Sequence, residues 1–276
     1  MSLILLGLIQ GLTEFFPVSS SGHLVIAKYF LQLKLPGAAF EAFLHFGTII
    51  AVIVLFRKDL KELVISFFDS IYKLSRGENI LNIFKNNSSS KLAWFLVIST
   101  MPAAIIGYTF SSFFEILFAK PIITAFMLII TGALLWVGNK KYSKGNKNIS
   151  KITYKDAIII GIAQALAIFP GISRSGLTVI AGLSRNLDRE FAAKYSFILS
   201  VPIILGASIF KIREISSLNI NLNIMILSGF VAAISSYGAM KIFIELLKKQ
   251  KIYFFSYYLW MVSGLTIWMS LSRGFL

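Results

Sequence analysis

The chain contains no cysteine among its 276 residues, which excludes disulfides and thiolate chemistry and leaves redox compartment unreadable. Charge is scarce as well, at 14% of residues, and acids are scarcest, with 12 Asp and Glu against 27 Lys and Arg. A mean hydropathy of +0.78 excludes a soluble domain of ordinary composition. The net charge of +15 is spread over short loops and is not gathered in one polar module, so no nucleic-acid partner is expected. The opening Met1-Ser-Leu-Ile-Leu-Leu-Gly-Leu-Ile lacks a basic n-region and an A-x-A-like cleavage site. It is expected to belong to the fold and not to a signal peptide.

What the chain has instead is apolar length. Windows of roughly 20 apolar residues predict a polytopic membrane protein embedded in the lipid bilayer. Six segments are long enough to cross, at 40–57, 91–111, 117–138, 190–211, 223–247 and 252–272. Pro102 and Pro202 fall inside two of them and read as kinks. Two further regions, 2–31 and 155–184, differ: each is a short apolar helix, a Pro/Gly/Ser break, then a second short helix.

These two regions carry the same polar cluster. The first reads Gly7-Leu-Ile-Gln10-Gly-Leu12-Thr-Glu14-Phe15-Phe-Pro17-Val-Ser19-Ser20-Ser21-Gly22-His23. The second reads Gly161-Ile-Ala-Gln164-Ala-Leu166-Ala-Ile-Phe169-Pro170-Gly-Ile-Ser173-Arg174-Ser175-Gly176. At a constant offset of 154, Gly matches Gly, Gln matches Gln, and Ser-x-Ser-Gly matches Ser-x-Ser-Gly. Neither half of either region is comfortably long enough to span, so each is expected to be re-entrant, its broken backbone sheltered by protein or a water-filled cavity. Three spans separate the two hairpins, so the second enters from the opposite face. The expected fold is an all-α polytopic membrane protein with an inverted-topology repeat. Each half, residues 1–140 and 141–276, is one re-entrant helix–loop–helix plus three transmembrane helices, with the site near the midplane.

Basic residues orient it. Arg57, Lys58, Lys61, Lys73, Arg76, Lys85 and Lys91 share a side with Lys140, Lys141, Lys144, Lys147, Lys151, Lys155, Arg185, Arg189, Lys248, Lys249 and Lys251. Only Lys28, Lys34, Lys211, Arg213 and Arg273 fall opposite, so the rich side is expected to be cytoplasmic and both termini outside. Residues 58–90 read either as an amphipathic helix at the cytoplasmic interface or as a solvated loop.

The chemistry is concentrated at the breaks. Ser19, Ser20, Ser21 and Gly22, like Ser173, Arg174, Ser175 and Gly176, immediately precede apolar helical runs. Free N–H groups and a positive dipole end suit an anion there, hydroxyls add donors, and Arg174 adds a planar charged fork that matches phosphate. Two other readings stand beside this one: serines that only cap helices, and Arg174 paired with Glu14 for structure alone. Gln10 and Glu14 lie one turn apart on a single helix face, where they could hold a hard cation completed by phosphate oxygens, Mg²⁺ or Ca²⁺. A protonated Glu14 bonded to a neighbour is the plainer alternative. His23, whose counterpart is Leu177, could be a nucleophile, a general base for Ser20 or water, or a general acid. Glu41 and His45 form another i,i+4 pair, read as accessory and kept apart from the site.

The stretch from Gln10 through Glu14 and Pro17 to His23, followed by Pro170-Gly-Ile-Ser173-Arg174-Ser175-Gly176, resembles the undecaprenyl pyrophosphate phosphatase (bacitracin resistance) family over essentially the whole chain. The resemblance implies a multi-pass enzyme of the bacterial inner membrane that hydrolyses a C55 isoprenoid pyrophosphate to the monophosphate and phosphate. It also implies a divalent cation, usually Mg²⁺, a role in recycling the cell-wall carrier lipid, and bacitracin resistance. Many members carry a second glutamate where this chain has Gln10. On this reading Glu14, Ser20, His23 and Arg174 are catalytic and Gln10 and Glu14 hold the metal. Ser19, Ser21, Gly22, Ser173, Arg174, Ser175 and Gly176 bind the phosphates. The pocket is expected to open to the extracytoplasmic face, and the reading allows a homodimer. A secondary transporter or flippase of a phosphorylated polyprenyl lipid is the competing expectation.

Overall fold

Proline and serine punctuate this chain more than charge does, and the helix boundaries follow them. The computed structural model describes residues 2–30, 39–142, 145–216 and 220–272. Lys34, Lys144, Arg273 and the side chain of Arg213 lie outside the described residues. Among the described residues the regular structure is thirteen helices and no strand.

The first helix, α1 (Ser2–Phe15), stops two residues before Pro17, whose ring disfavours helical backbone at Phe16. Then follow α2 (Ser20–Phe30), α3 (Ala39–Leu55), α4 (Arg57–Ser75), α5 (Ile80–Asn86), α6 (Ser88–Thr109), α7 (Ser111–Phe118) and α8 (Pro121–Lys141), the last opened by a proline at its first position. The chain continues through α9 (Tyr154–Leu166), α10 (Arg174–Ser184), α11 (Arg189–Ser216), α12 (Leu222–Lys248) and α13 (Phe254–Ser272).

Five of these, α6, α8, α11, α12 and α13, are long and apolar enough to cross a membrane. A sixth is reached by taking α3 with α4, which bend by 90° at the break between them. With 14 and 13 residues, α1 and α9 extend only about 20 Å each, short of a hydrocarbon core of about 30 Å. Residues 58–90 are helical in α4, α5 and the first turn of α6, with α4 and α5 parted around Gly77 at φ +86°. One face of α4 is tied to α6 by Trp94 Nε1 donating to Ser70 Oγ at 2.9 Å. Its opposite face exposes Val64, Ile65, Phe68 and Tyr72.

Close helix contact is made by small residues, the usual solution where lipid offers no hydrophobic drive to associate. α1 lies against α12 so tightly that a Cβ on Gly7 would sit 2.3 Å from the Ser228 carbonyl oxygen, and one on Gly11 2.4 Å from that of Ala232. α9 lies against α6 in the same way, with Gly161 facing the Ser99 carbonyl at 2.8 Å. Ser236 Oγ donates to the Gly11 carbonyl at 3.1 Å, and Ser99 Oγ to the Ala157 carbonyl at 2.7 Å. Behind the loops, Phe15 meets Phe197 edge-on at 5.1 Å, and Phe197 meets Phe243 at 5.8 Å. This wall is fully buried.

The ends of α9 and α10 are clasped together. Asp156, fully buried, accepts from Lys147 at 3.1 Å and from Arg185 at 2.9 Å, and it closes a capping box with Thr153. Replacing Asp156 by Asn leaves two cations beside a neutral amide. The expected cost is about 3 kcal/mol, read as a lowered melting temperature in detergent. A variant as stable as the parent would show that the clasp contributes nothing.

Candidate active site

The two Ser-x-Ser-Gly turns make the same side-chain hydrogen bonds. Ser19 Oγ accepts from the Gly22 N–H at 3.2 Å and contacts Ser21 Oγ at 3.3 Å. Ser173 Oγ accepts from the Gly176 N–H at 3.1 Å and contacts Ser175 Oγ at 3.2 Å. Each first serine is therefore an N-cap, and its hydroxyl is committed to the start of α2 or α10. Ser19 holds φ at +66°, a left-handed conformation costly for a side chain with a Cβ.

The turns also face each other. A Cβ on Gly22 would lie 3.2 Å from Gly171 Cα, and one on Gly176 3.0 Å from Pro17 Cβ. Ser175 Oγ donates across the gap to the Phe16 carbonyl at 3.1 Å. Glycine at both positions lets the two breaks meet, bringing segments 154 residues apart in sequence into one place.

Glu14 is the hub. Its Oε1 accepts from Arg174 Nη2 at 2.6 Å, across 160 residues of sequence. Its Oε2 accepts from Gln10 Nε2 at 2.7 Å and from Ser20 Oγ at 2.5 Å. The i,i+4 spacing on α1 does align Gln10 with Glu14. His45 completes the group from α3, with Nδ1 2.8 Å from Gln10 Nε2 and 3.1 Å from Glu14 Oε2. One carboxylate thus gathers a cation, an amide, a hydroxyl and an imidazole in an interior where Glu14 is 6% and Gln10 0% exposed.

Two buried atoms of this group lack a partner: Arg174 Nη1, a donor, and Gln10 Oε1, an acceptor. Buried polar atoms are nearly always satisfied, so an orphaned donor and an orphaned acceptor in one cluster point to a ligand that offers both kinds of contact. No group of three or more His, Asp or Glu able to enclose a metal exists among the described residues. A divalent cation here would have Glu14 and the free oxygen of Gln10, with the rest of its shell coming from elsewhere. That donor set suits Mg²⁺, which commonly takes one or two carboxylates and completes its shell with phosphate and water.

His23 sits apart from this hub. It bonds the Ser19 carbonyl and the hydroxyl of Tyr258, while the Ser20 hydroxyl turns to Glu14. Glu41 is likewise separate, in contact with Lys28 Nζ. The sequence pairs His45 with Glu41 by i,i+4 spacing, whereas in the fold His45 turns to Gln10 and Glu14 and Glu41 turns to Lys28. The signal for His45 was an imidazole one turn along an otherwise apolar span.

Residues 3–265 match the model of the bacitracin resistance protein BacA family. The chain belongs to this family. The match spans both breaks and every helix that shapes the cluster. The chain is 42% identical over 272 residues to the undecaprenyl-diphosphatase of Methanobrevibacter smithii, covering 96% of this chain and 95% of that one. It is 40% identical over 276 residues to the undecaprenyl-diphosphatase of Carboxydothermus hydrogenoformans, covering 98% and 97%. The enzyme of that name from Methanosphaera stadtmanae is 36% identical over 275 residues, with 98% of each chain covered. The resemblance read from Gln10–His23 and Pro170–Gly176 is thus carried by the whole length of the BacA match.

Proposed function

We infer that the protein is an integral-membrane phosphatase that hydrolyses undecaprenyl pyrophosphate to undecaprenyl phosphate and inorganic phosphate. The observation that carries the reading is Arg174 Nη1, a buried guanidinium donor aimed at no protein acceptor, beside two serine turns that open helices. A pyrophosphate supplies the missing acceptor, and the first N–H groups of α10 bond no carbonyl of their own helix.

In the reaction the terminal phosphorus gains an oxygen from water and loses the bridging oxygen, which leaves with the lipid phosphate. Charge moves onto that bridging oxygen as the bond breaks, and Arg174 is placed to balance it. Glu14 fixes the Ser20 hydroxyl by accepting its hydrogen bond, which leaves the Ser20 oxygen free to accept a hydrogen bond from the attacking water and hold it in place. A divalent cation of the Mg²⁺ or Ca²⁺ class, held by Glu14 and Gln10 Oε1, would neutralise further phosphate charge.

The same reading accounts for the architecture. α1 packs on α12 as α9 packs on α6, an exchange between the halves that supports an inverted repeat of residues 1–140 and 141–276. The lengths of α1 and α9 and the matched turns support re-entrant hairpins meeting near the midplane. The lysine and arginine bias supports a cytoplasmic-membrane protein with its basic loops inside and its pocket opening outward.

Inorganic phosphate release from undecaprenyl pyrophosphate, by purified protein in detergent, tests the reading. Release with Mg²⁺ that falls to the uncatalysed background in EDTA is the expected result. Folded protein that releases none with any metal would instead favour transport of the same lipid, which requires no hydrolysis.

A further inference from the structure

His23 is held at both ends of its ring by partners from opposite ends of the chain. Its Nδ1 lies 2.9 Å from the Ser19 carbonyl oxygen. A carbonyl can only accept, so Nδ1 carries the hydrogen and donates it. The lone pair of the neutral ring is therefore on Nε2, where the Tyr258 hydroxyl, 2.7 Å away, donates to it. The two rings lie parallel, 5° apart in plane with centroids at 5.5 Å, so the phenol also limits how far the imidazole can turn.

The partners of this arrangement are unusual in their own right. Ser19 presents its carbonyl from a left-handed conformation, φ +66°, that a serine adopts at a cost. Tyr258 lies on α13, 235 residues from His23, and is 39% exposed, so it reaches in from the rim of the fold. α2 and α13 both pack on α8, and the two side chains meet across its shoulder.

We propose that Tyr258 is a positioning residue for the phosphatase reaction, fixing the plane and the Nδ1–H tautomer of His23 in the free enzyme and holding Nε2 until the reacting water takes the place of its hydroxyl, so that Nε2 is the proton-accepting atom. This rests on the phosphatase reading of the site. Tyr258 does not touch the phosphate; it acts through His23. Without its hydroxyl the imidazole keeps one tether, and the plane in which Nε2 meets the water is no longer fixed. The loss falls on the chemical step and not on binding, because a misaimed proton-transfer group is costly even when the substrate stays in place.

The test is Tyr258→Phe, which removes one oxygen and keeps the ring. The chain has only two histidines, so ¹⁵N-imidazole NMR of the full protein is readily assigned with a His45→Gln sample. The expected spectrum shows His23 as a single Nδ1–H tautomer with a hydrogen-bonded Nε2, whose resonance shifts in the Phe variant. In kinetics, kcat is expected to fall about tenfold with KM within a factor of two. On a His23→Ala background the same substitution should cost nothing further, since the two residues act as a unit. A mixed or reversed tautomer in the parent, an unchanged Nε2 signal in the variant, or losses that multiply in the double variant would each overturn the proposal. Absence of phosphate release from the parent would fail the phosphatase reading separately, and the spectra would still decide whether Tyr258 tethers His23.

Discussion

Arg174→Ala is expected to lower kcat/KM for phosphate release by about a thousandfold or more, the scale seen when a charged group matched to a transferring phosphoryl is removed. The guanidinium is the cation bonded directly to the hub, through Nη2 to Glu14, with Nη1 left for the ligand and the Phe15 ring 6.0 Å from Cζ. Alanine removes the ligand contact and also leaves Glu14 without its counter-charge. Arg174→Lys separates these two losses. Lysine restores a charge but not the planar fork, so its activity is expected to lie between the two. Steady-state phosphate release, with thermal unfolding recorded on the same samples, is the measurement. An alanine variant within tenfold of the parent would show that Arg174 serves packing alone.

Glu14→Gln is expected to abolish activity to a similar extent and to destabilise the protein by about 3–5 kcal/mol, because it strands a buried guanidinium. The carboxylate is the common acceptor for Arg174, Gln10 and Ser20. An amide in its place has one acceptor oxygen, and it adds two donors to a cluster already rich in them. The double variant Glu14→Gln/Arg174→Ala is the decisive control. Removing both charges should restore part of the lost stability, since neither is then unpaired, but none of the activity. If the pair were an ion pair for structure only, the double variant would regain both together.

Much of this site was legible because it is local in sequence. Gln10 and Glu14 share a helix face by spacing alone, and the Ser-x-Ser-Gly turns repeat where the helices break. Five of the six expected spans were legible as well, since membrane helices must be long and apolar; the sixth, 40–57, qualifies only when α3 is taken together with α4. Two kinds of fact were not. The sequence left open whether the serine hydroxyls cap helices or bind the ligand; geometry shows Ser19 and Ser173 as caps, with Ser20 turned to Glu14. Partnerships across the fold also left no local trace. Tyr258 stands in an aromatic run that lipid contact would explain equally well, and His45 was hidden by its i,i+4 neighbour Glu41. The 90° turn from α3 into α4 falls where hydrophobicity merely declines, with no proline or glycine to mark it.

The fit of α1 against α12 has a consequence for synthesis. Gly7 and Gly11 close on Ser228 and Ala232, and Glu14 waits for Arg174, all of them encoded long after the first hairpin has left the ribosome. At an elongation rate of about 5–20 residues per second, α1 stays without its mates for roughly ten seconds or more, with a carboxylate and an amide already committed to the bilayer. A segment made early is thus fastened late. Translation that stalls between α8 and α12 should leave a chain that is inserted but unlocked, an easy target for membrane proteases.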